Sequence, residues 1–433
     1  MKKTFTRCTM VASLLAGAAL ASTAHATTDP FYTYTGNTPL SSIPVGTVVN
    51  QRTVTYDLAG FPTKLTAVQL LYRTNNAQNQ AVVNVTTILK SPTNNGKAIS
   101  YQSFYDSLNP ADEPSQVIAG NKGFPTLTLG NSVATAESVV IAAMVAAGYT
   151  VIVPDTEGQT ADFAAGPEYG MTTLDSIRAA LNTPASGLTP LSKVAMAGYS
   201  GGAIATNWAA QLAPTYAPDV NQQLVGATYG GILVDPIHNL NYVNGSVGWA
   251  GVAPMALVGL ARSYNINITP YLSNTGQLVF NDIQNQGIAY ILAKYATLQW
   301  STLLKPQYAN DIYSIPALVS AANKVDAGLI GSPTIPLQMV QGTVGLADGN
   351  FSLQPGDGVM LSNDVRTLAK QFCNSGTSVQ YIESPTEHLS TTVVWVAALL
   401  PWINARFAGT PAPSNCALIK WLPSNSLAAQ TVH

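Results

Sequence analysis

The rhythm of hydrophobic and polar positions changes near residue 134. Before it, two runs rich in β-branched residues, VQLLYRT (68–74) and QAVVNVTTILK (80–90), alternate partially and predict strands. They follow an opening stretch, TTDPFYTYTGNTPLSSIPVG, whose prolines, glycines and small polar residues predict turns. From 134 onward, helical spacing and short apolar runs take turns. A helix over 134–149, ending at Gly148, leads into the strand TVIVPD. A helix over 172–182 then leads into the strand KVAMAG (193–198), and another helix precedes the apolar run QLVGATYGGILVD (223–235). Strands alternating with helices imply right-handed βαβ units, hence an α/β fold with a mostly parallel central sheet and helices on both faces.

Residues 236–331 interrupt that alternation with helical pieces broken by Gly, Pro and Asn. They read as a helical cap or lid inserted late into the sheet. The α/β rhythm resumes with TIPLQMVQG (334–342), a helix near 359–372, the strand SVQYIES (378–384) and a last helix near 390–407. The expected organisation is therefore an export signal (1–26), a first core portion (27–235), the insertion (236–331), and a second core portion with a tail (332–433).

Composition narrows the class. Hydrophobic residues make up 47% of the 433 residues and charged ones only 9%, against about 25% charged in a typical globular chain. Asn, Gln, Ser and Thr must therefore cover the surface, as suits a secreted enzyme. A net charge of -2 with no basic run excludes nucleic acid as a partner. At the N-terminus, MKKTFTR, the apolar MVASLLAGAALA and the small-residue TAHA form an export signal cut after Ala26, which places the chain in the medium or periplasm. Its apolar run is too short to span ~30 Å of hydrocarbon, and no later segment reaches the ~20 apolar residues of a membrane helix. Cys8 leaves with the signal, and Cys373 and Cys416 are expected to pair, tying the C-terminal tail to the body.

One short stretch carries the chemistry. Gly198-Tyr199-Ser200-Gly201-Gly202 fits G-x-S-x-G, between a predicted strand and a predicted helix. A nucleophile on so sharp a turn needs neighbours without a Cβ, hence Gly198 and Gly202. The amide of Gly201, at the helix N-terminus, is left to face a developing oxyanion. A plain turn is the alternative. Serine needs a base. His25 leaves with the signal, and His433 ends the chain and is expected to fray. His238 has only Asp219 and Asp235 between it and the serine unit. His388, in SPTEHLSTT, lies between the last strand and the last helix and is the candidate, with a structural histidine as the other reading. For the acid, Asp357 follows a strand and precedes a helix, though an N-cap would explain it too. Asp348 in the same loop competes with it, and Asp364 looks embedded in a helix. The backbone of Asp155, in VIVPDTEG, is the candidate second oxyanion donor, unless it belongs to an ordinary turn.

With these residues placed, the chain resembles the secretory lipase family, the lipase A-like triacylglycerol lipases best known from yeasts. The likeness runs through DPFYTYTG, LLYRTNNAQNQ, ISYQSFYDSLNP, GYTVIVPDTEG, LDSIRAALN, VAMAGYSGGAIATNWAAQLAPTYAP and TEHL. It implies an α/β-hydrolase fold, with a triad of Ser200, Asp357 and His388, an oxyanion hole from Asp155 and Gly201, and a lid over 236–331. Two departures stand out. Ala111 and Asp112 stand where yeast members typically have a cysteine, and the loop GTVGLADGNFSLQPGDGVML is longer than the family's acid turn. The implied activity is ester hydrolysis on lipids through an acyl-enzyme, with no cofactor or metal, by a chain expected to act as a monomer. Trp249, Met255 and Leu257 are candidates for an acyl-chain wall. The alternatives are a carboxylesterase for short or aromatic acyl groups, and a non-catalytic lipid-binding protein.

Overall fold

Nine strands among the described residues form one sheet: β1 (Val48–Leu58), β2 (Phe61–Asn75), β3 (Ala81–Leu89), β4 (Ala98–Gln102), β5 (Thr150–Pro154), β6 (Val194–Tyr199), β7 (Leu224–Gly230), β8 (Leu337–Gly342) and β9 (Val379–Ser384). The computed structural model describes residues 29–58, 61–120, 132–420 and 426–433; the expected export signal and its cleavage site lie outside them. Across the sheet the order is β1-β2-β3-β5-β4-β6-β7-β8-β9. The first three pairings in that order are antiparallel and the other five are parallel.

Successive side chains on a strand point to opposite faces, and β6 separates two cores on that basis. Val194 and Met196 face the helices Gly166–Leu181, Gly201–Tyr216 and Ser362–Asn374. Ala195, Ala197 and Tyr199 face the helices Ser132–Ala146 and His388–Phe407. Ala195 and Ala197 keep one side of β6 small, so helices can close over that side of the strand that leads to Ser200.

Two strands carry little sequence signal. β1 lies at the sheet edge, half-exposed, with its alternation broken by two register shifts. β4 is only five residues long, AISYQ, yet it is wholly buried between β5 and β6. The helix expected over 172–182 starts at Gly166, with Pro167 in its first turn, a position that tolerates proline because its N–H has no helical partner. Gly170 hides the helical period there, but a Cβ would press on the backbone of Trp208 in the neighbouring helix.

Between β7 and β8 the chain forms the helices Pro236–Val243, Val252–Ser263, Asn274–Ile283, Ile288–Lys294 and Pro316–Lys324. Cys373 and Cys416 are disulfide-bonded, with Cα atoms 5.6 Å apart. The last helix, His388–Phe407, is longer than expected: by length and composition alone its 20 residues would suffice to cross a membrane. It is nonetheless a core helix on one side, where Trp395, Leu399, Trp402 and Ile403 bury against the sheet.

Candidate active site

Ser200 follows β6 and is the N-cap residue of the helix Gly201–Tyr216, with its backbone at φ 53° and ψ −119°. A residue with a Cβ holds such a conformation at a cost of about 1–3 kcal/mol, so the surroundings must enforce it. They do so by crowding. A Cβ on Gly198 would collide with the carbonyl of Gly202, and one on Gly202 with the carbonyl of Gln102 at the end of β4.

His388 Nε2 stands 2.8 Å from Ser200 Oγ, and its Nδ1 stands 2.8 Å from Asp357 Oδ2. With Nδ1–H donating to the carboxylate, Nε2 is left to accept from the serine hydroxyl. The ring is buried, tilted against Tyr199 at 5.1 Å and met edge-on by Trp249 at 5.1 Å. Gly231 (φ +64°) makes room for it, since a Cβ there would lie 2.6 Å from His388 Cε1. The backbone is pinned as well: Tyr199 Oη–H donates to the His388 carbonyl at 2.6 Å, and the His388 N–H donates to the Asp357 carbonyl at 2.7 Å.

Asp357 is fully buried and saturated with donors. Oδ1 accepts from the N–H groups of Val359 (3.1 Å) and Met360 (2.7 Å), and Oδ2 accepts from Gln341 Nε2 (3.0 Å) besides His388. Asp348, the competing acid, does not meet the imidazole; it accepts from Trp249 Nε1 at 2.9 Å. Asp364 and Asp235 lie 3.3 and 3.5 Å from His238, whose pKa is raised to about 8, chiefly by its hydrogen bond to Asp364. Asp219 pairs instead with Arg178. His433 does not fray as expected: its ring stacks on Tyr313 at 5.0 Å and its N–H reaches the Tyr313 carbonyl.

The expectation for Asp155 needs correction. Its N–H donates to the carbonyl of Val85 at 3.0 Å, so it is not turned toward Ser200. Its carboxylate accepts from Ser115 N (2.9 Å) and Ser115 Oγ (2.5 Å). The cause is topological: β5 is separated from β6 by β4, so the loop beside the serine is the one after β4. That loop brings in Asp106, at φ +39°, whose carboxyl lies so close to Gly201 that a Cβ there would collide with it. Burial, then the charge of Glu137, hold the Asp106 carboxyl well above the ordinary carboxylate range. Reading AISYQ as a strand would have directed attention to SFYDS behind it.

Ser200, Gly201 and Asp106 line one wall of an apolar cavity that continues among the helices of 236–331 past Leu257, Leu260, Ile312 and Leu318. Trp249 and Leu257 line it as expected. Met255 does not, being fully buried in the packing among those helices.

A serine on a strand–helix elbow, an aspartate after the next-to-last strand and a histidine after the last define an α/β-hydrolase. The chain belongs to the secretory lipase family, whose pattern it matches over residues 126–415. It is 30% identical to Lipase 1 of Candida albicans over 368 residues, 80% of this chain and 73% of that protein. The structure of Candida antarctica lipase A in its closed state superposes with a TM-score of 0.76 at 27% identity, covering 89% of this chain and 87% of that one. A Mycobacterium tuberculosis protein named a probable inactive lipase is 29% identical over 403 residues, 91% of this chain and 85% of its own. Membership alone therefore does not decide activity, and the geometry around Ser200 carries that question.

Proposed function

We propose that this chain is exported, with its signal cut after Ala26, and hydrolyses carboxylic esters of triacylglycerols and related lipids through an acyl-enzyme on Ser200. The observation that carries the reading is the unbroken hydrogen-bonded line from Asp357 through His388 to Ser200 in the wall of an apolar cavity. His388 takes the serine proton as Oγ attacks the ester carbonyl, and Asp357 orients the imidazole and stabilises its charge. The protonated His388 then gives the proton to the leaving alcohol, and water repeats the sequence to free the acid. The Gly201 N–H, unpaired within its helix, points to the oxyanion. Asp106 supplies the second donor in place of Asp155, because a carboxyl kept neutral by burial can donate a hydrogen bond where a carboxylate would repel. Each such donor is worth about 3 kcal/mol of barrier.

Residues 236–331 act in this reading as the cap, and their aliphatic wall favours a long acyl chain over a short or aromatic one. A series of esters of increasing chain length separates lipase from carboxylesterase. Ser200→Ala is expected to lower turnover of p-nitrophenyl esters by roughly a million-fold, the scale seen when such a nucleophile is lost, with an unchanged circular dichroism spectrum. Parental activity in that variant would overturn the assignment.

A further inference from the structure

The loop between β8 and the helix Ser362–Asn374, residues 343–361, does more than deliver Asp357. Its near end carries Leu346, Phe351 and Leu353 into solvent, the last two 72% and fully exposed. The following helix, His388–Phe407, shows solvent a second apolar row, Leu389, Val393 and Val396, at helical spacing on the side opposite its buried tryptophans. The loop is joined through the backbone to the segment that leads into this helix: Thr343 N–H donates to the Ser384 carbonyl (2.9 Å), Val344 N–H to the Thr386 carbonyl (3.4 Å), and His388 N–H to the Asp357 carbonyl (2.7 Å). The same loop holds Trp249, which lines the cavity, through Asp348. Through Trp249 the loop reaches the cavity wall, and Leu389 directly follows His388 in the chain.

We propose that this face is where the enzyme docks on a neutral lipid surface, the phase that holds its ester substrate. Exposed apolar residues gathered at one site mark an interaction surface rather than ordinary surface scatter. Its charge selects the occupant. No Lys or Arg occurs between residues 325 and 365 or between 371 and 405, so neither segment supplies the basic residues that attract anionic headgroups. Continuity with the cavity argues for the substrate phase over a protein partner. Docking here would present the ester to Ser200 directly. The choice of occupant rests on the proposed ester hydrolase activity, but the docking itself does not.

The test therefore separates binding from turnover. In a Ser200→Ala background, flotation with phosphatidylcholine vesicles is expected to capture the protein. Adding Phe351→Ser and Leu353→Ser should weaken that capture by tenfold or more, the factor corresponding to about 1.4 kcal/mol of lost partitioning. Val393→Gln on the helix should weaken it in the same direction. In the active enzyme, F351S/L353S is expected to cut hydrolysis of emulsified triolein to a similar extent while kcat/KM for soluble p-nitrophenyl acetate stays within about twofold. Unchanged vesicle capture, stronger capture by phosphatidylglycerol vesicles, equal loss on both substrates, or a lipid-free dimer abolished by F351S/L353S would each overturn the proposal. If the parent hydrolyses neither ester, the ester-hydrolase reading fails, and vesicle capture still decides the docking.

Discussion

Four donors converge on the carboxylate of Asp357, two backbone N–H groups, the Gln341 amide and the His388 imidazole, and between them they leave it one orientation. That orientation sets the histidine tautomer, which in turn decides whether Nε2 accepts the serine proton. Asp357→Asn should keep the fold, since an amide oxygen still accepts from Val359 and Met360. It is expected to lower kcat by about 10⁴, the loss typical when the triad carboxylate becomes an amide and the wrong tautomer is held. Asp348→Asn, which touches Trp249 rather than the imidazole, should cost less than about tenfold. Steady-state rates on one soluble ester compare the two; equal losses would remove Asp357 from its assigned role. In the sequence the choice between these acids was open, because both lie in one loop and a loop's shape is not periodic.

Elements were legible where they were long and regular. The alternation of β2 and β3, the helices before β5 and β6, and the strand–elbow–helix unit around Ser200 can all be read from spacing alone. β4 cannot, since five residues show too little periodicity to separate strand from core helix. That single omission directed the expected second oxyanion donor to Asp155 and away from the loop of Asp106: without β4, β5 looks like the neighbour of β6. The tail was better signalled: with Cys8 read as part of an export signal, Cys373 and Cys416 were expected to pair, and they do. The Cys373–Cys416 bridge closes a 43-residue separation, for which the chain-entropy view expects about 4 kcal/mol of stabilisation, with measured values often lower. Cys373→Ser with Cys416→Ser should therefore lower the urea midpoint clearly. Neither residue lines the cavity, so ester turnover at 25 °C should be kept; a lost turnover with an unchanged midpoint would contradict this.

At the scale of the molecule, the charge distribution is unusual in where it is hidden. Among the described residues fourteen of the 21 acidic residues are buried, Asp106, Glu113, Glu137, Asp155, Glu157, Asp162 and Glu168 among them. Burial raises the pKa of each of these seven, to about 7 for Glu137 and Asp155 and about 6 for Asp162. The native state then holds more protons than the unfolded chain between about pH 4, where free carboxyls titrate, and about pH 7, so stability falls as pH rises through that window. His238 acts in the same direction. Its pKa of about 8 exceeds the unfolded value, so its contribution is complete below about pH 6.5 and lost as pH rises through 8. The melting temperature is expected to be higher at pH 5 than at pH 8.5, and a calorimetric series showing the reverse would mean these carboxyls are ionised when folded.

The sequence alone determined what depends on neighbours along the chain: the period of the helices and strands, and the glycines that let Ser200 turn. Tertiary structure decided what depends on neighbours across space. Strand order put the loop of Asp106, rather than Asp155, beside Gly201; a non-periodic loop chose Asp357 over Asp348; and burial, a property of the packed molecule, set the charge of the acids around the site. Periodicity and sterics are local and survive in one dimension, whereas adjacency of strands and loss of solvent arise only when the chain is folded.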